Sequence, residues 1–403
     1  MEKALIIDAC RTAVGTMGGA LKSLPAVDMA CAVLDVSLKR SQIDPELIDE
    51  VIMGQCRQSS DEPNLARIAS LRVGITERAS AHTVMRQCAS AMTAVQNGVM
   101  QIACGVSDIV LAGGTESMSN GIFYLRGARY GLGTGTAQLL DSVTEGQFQS
   151  QPNEIYGSFN MGHTAENVAR LMNISRQEQD AYALLSQQKA AAAIQAGRFK
   201  QEIIPLEVPS QKHQPPVLFD TDEAPRPGVT MEKLARLPAV FADDGLGTVT
   251  AGNSCGRNDG ASAMLLMGER RAKELGLEPL GRVLGISSAG CDPRTMGLGP
   301  VYAVPSALKM AGLSIDDIGL IELNEAFAAQ TIGCIRMLHW EDKLDILNVN
   351  GGAIALGHPV GSSGCRIMVT LLHEMRRRRV QYGLATLCIA GGMGQAVVLE
   401  ALL

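Results

Sequence analysis

Four residues of types that carry acyl and proton transfer stand in unusual local sequences: Cys88, Asn324, His358 and Cys388. His358 belongs to the glycine-rich segment 348–364, whose composition disfavours a regular helix or strand and favours a tight backbone cradle. A histidine held in such a cradle is a candidate acid or base, and a cysteine thiolate is a candidate nucleophile. The segment alone also fits a glycine-rich connection that happens to carry a polar residue. The company of the other three residues favours a catalytic role.

Each of these residues is predicted to lie where a regular element begins or ends. Cys88 is followed at once by small, helix-forming residues, which places its thiol near a helix N-terminus, where the dipole favours the thiolate. Cys388 ends a hydrophobic strand and enters a glycine turn, so its side chain and the N–H groups of the turn can face a pocket. Asn324 follows the predicted strand 320–323. Structural interpretations stay open, because a lone cysteine is most often a small buried apolar residue and Asn324 fits a helix N-cap.

The predicted elements occur twice along the chain. Residues 4–9 predict a buried strand and residues 27–38 a helix, and the same succession recurs at residues 282–288 and 304–311. Three landmarks repeat at nearly constant separations: Asp44 and Asp316 at 316 − 44 = 272, the Ala-Gly-Gly triplets at 390 − 112 = 278, and Cys88 and His358 at 358 − 88 = 270. These offsets indicate an internal duplication of a βαβ-rich unit. Chance matching of common α/β patterns is the alternative.

A segment of different composition interrupts the repeat. Residues 121–247 begin with a stretch rich in Gly, Gln, Ser and Thr and include the proline-rich segment 205–227. Insertions of this length in a compact domain are usually functional. The sequence therefore predicts an N-terminal half, an inserted loop domain and a C-terminal half, with the boundaries 1–120 plus 248–272, 121–247 and 273–403.

Composition and charge exclude several classes of protein. With 403 residues, 46% of them hydrophobic, and 43 glycines, the chain is typical of a compact soluble α/β protein. Its net charge of −6 leaves no basic surplus for nucleic acid. The first apolar run ends at Asp8, too early for a signal peptide or a membrane span, so no membrane partner is expected.

The cysteines point to a reducing compartment. Ten are scattered along the chain without a Cys-x-x-Cys pair, which argues against both a zinc site and a disulfide framework. Reduced thiols of a cytoplasmic enzyme without a bound metal are expected. The chain also lacks a Gly-x-Gly-x-x-Gly fingerprint and a Walker phosphate loop, which disfavours a nicotinamide dehydrogenase.

Six segments together resemble the thiolase family and occur in the family's order over almost the whole chain. They are Cys88-Ala-Ser, Ala112-Gly-Gly-Thr-Glu-Ser-Met-Ser, Thr164-Ala-Glu-Asn-Val-Ala, Asn324-Glu-Ala-Phe, residues 351–364 and Cys388-Ile-Ala-Gly-Gly-Met-Gly. Within the family, the loop 124–131 and the region around Met161 are most similar to acetyl-CoA acetyltransferases, also called acetoacetyl-CoA thiolases.

The resemblance implies a fold and an assembly. Two similar halves, each a five-stranded mixed sheet between helices, would form a layered αβαβα structure, and the inserted loop domain would cover the active site and bind coenzyme A. A homotetramer built as a dimer of dimers is implied as well. Coenzyme A thioesters would be substrates, and no separate cofactor is expected.

The resemblance also implies a two-step reaction. Cys88 would attack an acyl-CoA thioester to give an acyl-enzyme, and Cys388 would move the proton at the α-carbon of a second acetyl-CoA. One oxyanion site would be formed by His358 with a water held by Asn324, and the other by the backbone N–H groups of Cys88 and Ala390. Both steps place negative charge on a carbonyl oxygen, so two such sites are needed.

Six further residues are assigned to the substrate by the resemblance. Arg226 would grip the nucleotide end of coenzyme A, Cys255 stands where the family has a serine near the pantetheine amide, and four residues would line the acyl and pantetheine path: Met161, Ala251, Met296 and Phe327. Asn160 and His163 depart from the family pattern beside the acyl pocket.

Three functions remain open at this stage. The first is reversible condensation of two acetyl-CoA to acetoacetyl-CoA. The second is a broader 3-ketoacyl-CoA thiolase of fatty-acid or aromatic degradation. The third is a non-catalytic acyl-CoA-binding subunit, against which the presence of all four catalytic groups argues, because binding alone does not need them.

Overall fold

A computed structural model of the chain describes residues 2–209, 215–242 and 244–403. Residue 1, residues 210–214 in the proline-rich segment, and residue 243 lie outside the described residues. The strands are β1 (Ala4–Thr12), β2 (Gly15–Thr16), β3 (Glu50–Gly54), β4 (Ser80–Val84), β5 (Ile109–Ser117), β6 (Phe123–Tyr124), β7 (Leu140–Asp141), β8 (Ile203–Ile204), β9 (Leu206–Val208), β10 (Val217–Phe219), β11 (Asn258–Gly268), β12 (Gly281–Gly290), β13 (Leu320–Leu323), β14 (Tyr382–Ile389) and β15 (Met393–Ala401).

The α-helices are α1 (Ala26–Ser41), α2 (Leu65–Arg72), α3 (Ser90–Ala103), α4 (Ser142–Phe148), α5 (Asn153–Tyr156), α6 (Met161–Leu171), α7 (Arg176–Gln195), α8 (Met231–Ala235), α9 (Glu269–Leu275), α10 (Gly299–Ala311), α11 (Ala328–Leu338), α12 (Ala353–Leu356) and α13 (Val360–Arg378). Short 3₁₀ turns connect several of them. No helix among the described residues is long and apolar enough to cross a membrane.

The N-terminal half is a five-stranded mixed sheet in the order β4-β3-β5-β11-β1. β3 runs parallel to both β4 and β5, whereas β11 is antiparallel to β5 and β1. β1, β5 and β11 are buried along their whole lengths, which explains their nearly continuous apolar sequences.

The C-terminal half repeats this arrangement as β13-β14-β15-β12. β13 is parallel to β14, and the remaining neighbours are antiparallel. In place of a fifth strand, Leu347 forms a single parallel bridge to Ile321 of β13. The two sheets join where β1 and β12 pair through Leu5 with Arg282 and Ile6 with Gly281.

Helices separate and cover the two sheets. α3 and α13 pack against each other between them, and the apolar cluster around these helices draws residues from both sheets. α1 and α2 cover the outer face of the N-terminal sheet, and α10 packs on the outer face of the C-terminal sheet. The expected layered α/β fold is confirmed.

The repeat is visible in the positions of the elements. The starts of β3 and β13 differ by 320 − 50 = 270, and the starts of α3 and α13 differ by 360 − 90 = 270. In the N-terminal half a long segment separates β5 from β11, whereas β14 and β15 are joined by a short turn. Equal connectivity thus places Cys88, just before α3, and His358, just before α13, at corresponding points of the two halves.

The segment between β5 and β11 is anchored to both halves. Its strand β8 pairs with β1, while α6 and α7 pack against α11 of the C-terminal half. Two buried carboxylates, Glu202 and Asp222, bind the guanidinium of Arg11 in β1. A capping box formed by Ser175 and Glu178 begins α7.

Candidate active site

Cys88 lies on a tight turn that leads into α3. Gln87, directly before it, has a left-handed φ of 46°, which is rare for a residue with a side chain and often marks a functional site. The first turn of α3 packs so closely against the backbone of β3 that a Cβ on Gly54 would collide with the backbone of Ser90 and Ala91. This close contact fixes the turn that carries the thiol.

The thiol of Cys88 is buried, and burial is the main influence on it. Burial raises the pKa of the Cys88 thiol above its usual value, although the backbone N–H groups of Ala390 and of Cys88 itself and the charge of Arg57 act to lower it. The donors at the helix N-terminus therefore act in the expected direction, toward the thiolate. Desolvation outweighs the donors, so the resting thiol is protonated.

The turn between β14 and β15 presents a backbone donor to this thiol. The backbone N–H of Ala390 lies close enough to the Cys88 sulfur to lower the pKa of the thiol. The sharp reversal falls on the next two residues, Gly391 with φ 89° and Gly392 with φ 84°, whereas Ala390 does not have a positive φ. An alanine therefore fits at position 390 and keeps its N–H donor.

His358 is held by hydrogen bonds at its backbone N–H and at Nδ1, and its second ring nitrogen, Nε2, has no partner among the described residues. Its backbone N–H donates to the Asn258 side chain at 2.9 Å, and its Nδ1 lies 2.6 Å from the Ser363 hydroxyl. Ser363 donates its single proton to the Pro359 carbonyl oxygen at 2.9 Å, so it accepts from Nδ1–H. This pattern assigns the tautomer and leaves Nε2 with a free lone pair, buried and without a partner among the described residues.

The charge state of His358 follows from its surroundings. Burial, assisted by the positive charge of Arg366, lowers the pKa of His358 to about 3. The imidazole is therefore neutral at physiological pH. A neutral ring with a free Nε2 can accept a proton from a thiol and then donate that proton to an oxyanion.

Asn324 follows β13 at the same sheet edge as Cys388. Its backbone N–H donates to the Thr386 carbonyl oxygen of the parallel neighbour β14 at 2.9 Å. Its side chain is not a helix cap, because α11 begins only at Ala328. Both side-chain polar atoms are buried without a partner among the described residues, as expected for a site that holds a water or a ligand.

A buried network that the sequence analysis missed fixes the Asn324 turn. Asn348 has a left-handed φ of 44°. Its side-chain amide forms hydrogen bonds with the N–H and the carbonyl oxygen of Leu323, both at 2.9 Å, and with the Glu325 carboxylate at 2.8 Å. Glu325 also accepts from Ser186 of α7 at 2.6 Å. The network joins the end of β13, the start of the glycine-rich segment and the inserted segment.

Cys388 lies at the end of β14 and is completely buried. Its cluster contains Met296, Ala326 and Phe327. Burial raises the pKa of the Cys388 thiol well above its usual value, and the nearby Cys88 is the largest charge effect that adds to this. The two thiols therefore lie near each other, although Cys88 belongs to the apolar cluster around α3 and α13 and Cys388 to that of Phe327.

Most of the predicted site residues surround one cavity of about 180 Å³. Its walls include Cys88, Met161, Cys255, Met296, Phe327, His358 and Ala390. Cys388 does not line the cavity but packs in one apolar cluster with its wall residues Ala326 and Phe327, and Asn324 stands two residues before Ala326. Of the two departures from the family pattern, Asn160 lines the cavity and caps α6, whereas His163 turns away and meets the edge of Phe241.

A second, wider groove of about 700 Å³ adjoins the cavity. It holds the other two residues assigned to the substrate, Arg226 and Ala251. Ser254, Gly256 and Arg257 line both spaces, so the groove leads to the cavity that contains Cys88. A long thioester with its acyl group at Cys88 can extend into this groove.

Sequence reasoning missed two cations of the cavity, Arg57 and Arg257. Arg57 follows the end of β3 by three residues and Arg257 directly precedes β11, and a cation at a strand end is the signal that could have indicated them. Among the residues that the structure describes, no group of three or more His, Cys, Asp or Glu side chains is placed to hold a metal.

Comparisons with known proteins agree with this geometry. Residues 4–270 match the family model described as thiolase, N-terminal domain, and residues 277–401 match thiolase, C-terminal domain. The chain is 47% identical to an acetyl-CoA acetyltransferase of Pseudomonas aeruginosa, with 99% of both chains covered. It is 44% identical to a probable acetyl-CoA acyltransferase of Staphylococcus epidermidis, again with 99% of each covered.

Solved structures give the same result. The crystal structure of the Bacillus anthracis acetyl-CoA acetyltransferase has a TM-score of 0.95 at 42% identity and covers 100% of this chain and 99% of that one. Human mitochondrial 3-ketoacyl-CoA thiolase in complex with CoA has a TM-score of 0.93 at 42% identity, covering 100% and 98%. The repeated α/β halves, the paired thiols and the full-length matches together show that this chain belongs to the thiolase family.

Proposed function

We propose that this thiolase is an acetyl-CoA C-acetyltransferase that joins two molecules of acetyl-CoA to acetoacetyl-CoA and CoA, reversibly. The observation that carries the proposal is the cavity in which the Cys88 thiol meets the Ala390 N–H, with the unpartnered Nε2 of His358 on the same wall and Cys388 behind it. These groups supply a nucleophile, a proton acceptor and a hydrogen-bond donor for the oxyanion.

In the first step the Cys88 sulfur attacks the thioester carbonyl of acetyl-CoA. His358 Nε2 takes the thiol proton, because its lone pair is free and Nδ1–H is fixed on Ser363. The carbonyl oxygen becomes an oxyanion in the cavity, where N–H donors stabilise it. The bond to the CoA sulfur breaks, CoA leaves with the proton from His358, and acetyl-Cys88 remains.

In the second step Cys388 removes a proton from the α-carbon of another acetyl-CoA. The resulting enolate is stabilised by a water on Asn324, whose buried amide has no partner among the described residues, and by His358 when its Nε2 carries a proton. The α-carbon attacks the acetyl carbon on Cys88, the carbon–sulfur bond breaks, the leaving Cys88 sulfur takes up the proton that Cys388 carries, and acetoacetyl-CoA forms. A thiol suits this proton transfer when its pKa falls on substrate binding toward the working pH.

The substrate residues have proposed roles that follow their positions. Arg226 and Ala251 in the outer groove would hold the nucleotide and pantetheine parts of CoA, and Cys255, Met161, Met296 and Phe327 would contact the thioester and acyl parts. CoA in the solved human relative supports binding of this class of ligand.

Two other functions are weighed against this one. A broader 3-ketoacyl-CoA thiolase is favoured by the likeness to the human mitochondrial enzyme of that name at 42% identity, and would serve fatty-acid metabolism. A non-catalytic acyl-CoA-binding subunit is disfavoured. Binding alone would not need two thiols, the unpartnered Nε2 of His358 and the unpartnered side-chain amide of Asn324 in one place.

We further propose that the enzyme works in the cytoplasm as a homotetramer without a bound cofactor. The free cysteines suit a reducing compartment. Large apolar side chains exposed in the loop 122–139, such as Phe123 and Leu139, suit contact with other subunits. Light scattering coupled to gel filtration tests the tetramer.

The experiment that tests the function is mass spectrometry of the intact protein and its peptides after brief incubation with acetyl-CoA and with longer acyl-CoAs. An acetyl adduct confined to the Cys88 peptide, together with release of acetoacetyl-CoA, is the expected result. An adduct from long chains but not from acetyl-CoA would favour the broader thiolase. A folded, reduced protein that forms no adduct with any acyl-CoA would overturn the catalytic proposal.

A further inference from the structure

The cavity around Cys88 carries positive charge that acetyl transfer does not require. Arg57 and Arg257 line it, and none of its lining residues is an aspartate or glutamate. The imidazole of His358 is neutral there. An acetyl thioester is also neutral, and the oxyanions of the reaction are served by the Ala390 N–H and His358.

Arg57 lines the cavity and not the outer groove, and it also borders a separate groove of about 420 Å³ that contains Asp28, Asp61 and Glu62. Its Nε is buried and has no hydrogen-bond partner among the described residues. Its guanidinium lies against α4, so closely that a Cβ on Gly146 would collide with Nη1. This half-buried cation is held close to the thiol by the fold and is not paired with an anion within the described chain.

Two acidic groups that feel the charge of the arginines are already engaged. Glu116 accepts from the backbone N–H groups of Cys56 at 3.1 Å, Arg57 at 3.0 Å and Gly361 at 2.9 Å, so its oxygens are occupied by amides. Asp141, which feels the charge of Arg257, caps α4 through Val143 N–H at 2.9 Å and Thr144 at 2.6 Å. Neither carboxylate forms an ion pair with the two arginines.

Polar side chains extend the same wall toward the nucleophile. Gln147 and Ser150, at the end of α4, line the cavity with Arg57. The Ser150 hydroxyl donates a hydrogen bond to the Gly146 carbonyl oxygen at 2.8 Å and accepts one from Gln87 Nε2 at 3.5 Å. Polar side chains thus line the cavity wall between Arg57 and the residue directly before Cys88.

We infer that Arg57, supported by Arg257, is a specificity-determining residue that recognises acyl groups ending in a carboxylate, so the enzyme also accepts acyl-CoAs of short dicarboxylic acids. The inference rests on the proposed acyl transfer at Cys88. The cavity of about 180 Å³ exceeds the roughly 150 Å³ that hold a benzene molecule in a protein interior, so it has room for more than an acetyl group.

The chemistry of the step is unchanged. Cys88 sulfur forms a bond to the thioester carbon of a succinyl-type group, its proton passes to His358, the bond to CoA sulfur breaks, and CoA leaves with that proton. The distal carboxylate remains ionised and accepts hydrogen bonds from the Arg57 guanidinium. No oxidant, reductant or further reactant is needed.

The test compares rates of Cys88 acylation by succinyl-CoA and butyryl-CoA, two four-carbon acyl groups that differ in the terminal carboxylate. Quenched incubation followed by peptide mass spectrometry gives both rates for each variant. In the unchanged enzyme we expect succinyl-CoA to react at least as fast as butyryl-CoA. Arg57→Gln should lower the ratio by about 10-fold or more, the effect of one charge-assisted hydrogen bond, and Arg57→Lys should restore part of it.

Arg86→Gln is the matched control, because Arg86 lies two residues before Cys88 but contacts Ser288 outside the cavity at 3.1 Å. Its ratio should equal that of the unchanged enzyme. Acetylation without any succinylation, or an equal loss of both rates in Arg57→Gln, would overturn the inference; in the latter case Arg57 acts on the Cys88 thiol. Absence of acetylation itself would overturn the proposed function as well.

Discussion

At Cys88 and His358, burial and hydrogen bonding decide which atoms carry protons before substrate arrives. Burial raises the pKa of the Cys88 thiol and lowers the pKa of His358 to about 3. Both groups are therefore neutral in the resting site, with Nε2 ready to accept. The thiolate forms only when attack on the thioester is coupled to proton transfer.

This charge state predicts the pH dependence of alkylation. Because the folded pKa of Cys88 lies above its usual value, the thiolate fraction, and with it the rate of reaction with iodoacetamide, should keep rising as the pH passes 9. Peptide mass spectrometry from about pH 6 to about pH 10 measures this rate on both sides of the ordinary thiol pKa, with the exposed Cys104 as an internal reference. A plateau below about pH 8, under the ordinary thiol pKa, would instead indicate a preformed thiolate–imidazolium pair.

Substitutions of Cys88 and Cys388 are expected to block different steps of the reaction. Cys88→Ala should abolish the acyl adduct, whereas Cys388→Ala should keep acylation and slow condensation by about 10²–10⁴-fold, the contribution of a positioned acid or base. Adduct formation and acetoacetyl-CoA production are measured separately. Cys10→Ala, a buried cysteine in the outer core of the N-terminal half, is the control and should change neither step. Equal losses of both steps in Cys388→Ala would contradict the separate roles.

At the scale of the elements, strand ends and helix starts bring the site together. Asn324 and Cys388 stand at the carboxyl ends of the parallel strands β13 and β14, while Cys88 and His358 precede the central helices α3 and α13. Two left-handed residues, Gln87 and Asn348, shape the adjoining turns.

Asn348 is predicted to hold the Asn324 turn and the His358 segment in place. Asn348→Ala leaves the Leu323 backbone groups unsatisfied, removes one of the donors to Glu325 and forces alanine into a left-handed conformation, so we expect a loss of about 3 kcal/mol in the free energy of unfolding. Asn348→Gly is the matched control: it removes the same amide but tolerates φ 44°, and should lose about 1 kcal/mol less. Urea denaturation measures both, and equal stability of Asn348→Ala and the unchanged chain would contradict the network's role.

At the scale of the whole molecule, the inserted segment is tied to the core through a buried charge cluster. Arg11 of β1 binds Glu202 at 2.6 Å and Asp222 at 2.7 Å and 2.9 Å, and all three side chains are almost completely buried. Asp222 stands four residues before Arg226, which lines the outer groove. The cluster therefore links the groove to the N-terminal sheet.

Breaking this cluster should be costly. Asp222→Ala leaves part of a buried guanidinium and the Val14 N–H without partners, so we expect a loss of about 3–5 kcal/mol in the free energy of unfolding. Asp244→Ala, which breaks the exposed pair with Arg170 in the same inserted segment, serves as the control and should leave the urea midpoint nearly unchanged. Similar midpoints for the two variants would show that the buried cluster does not anchor the segment.

The sequence by itself determined the repeated α/β plan, the family, and the four groups Cys88, Asn324, His358 and Cys388. These follow from local pattern: apolar spacing, glycine turns and motifs that keep their order along the chain. The 270-residue separation of Cys88 and His358 already indicated that the two residues occupy corresponding places in the two halves.

Only the tertiary structure decided how these residues behave. The helix N-terminus favours the Cys88 thiolate as expected, but the thiol stays protonated, because desolvation depends on atoms from distant segments. Arg226 and Ala251 line the outer groove while the other assigned residues surround the cavity, and Arg57 brings an unpaired charge beside the nucleophile. Burial, tautomer and charge pairing arise from contacts between residues hundreds of positions apart, which no local pattern specifies.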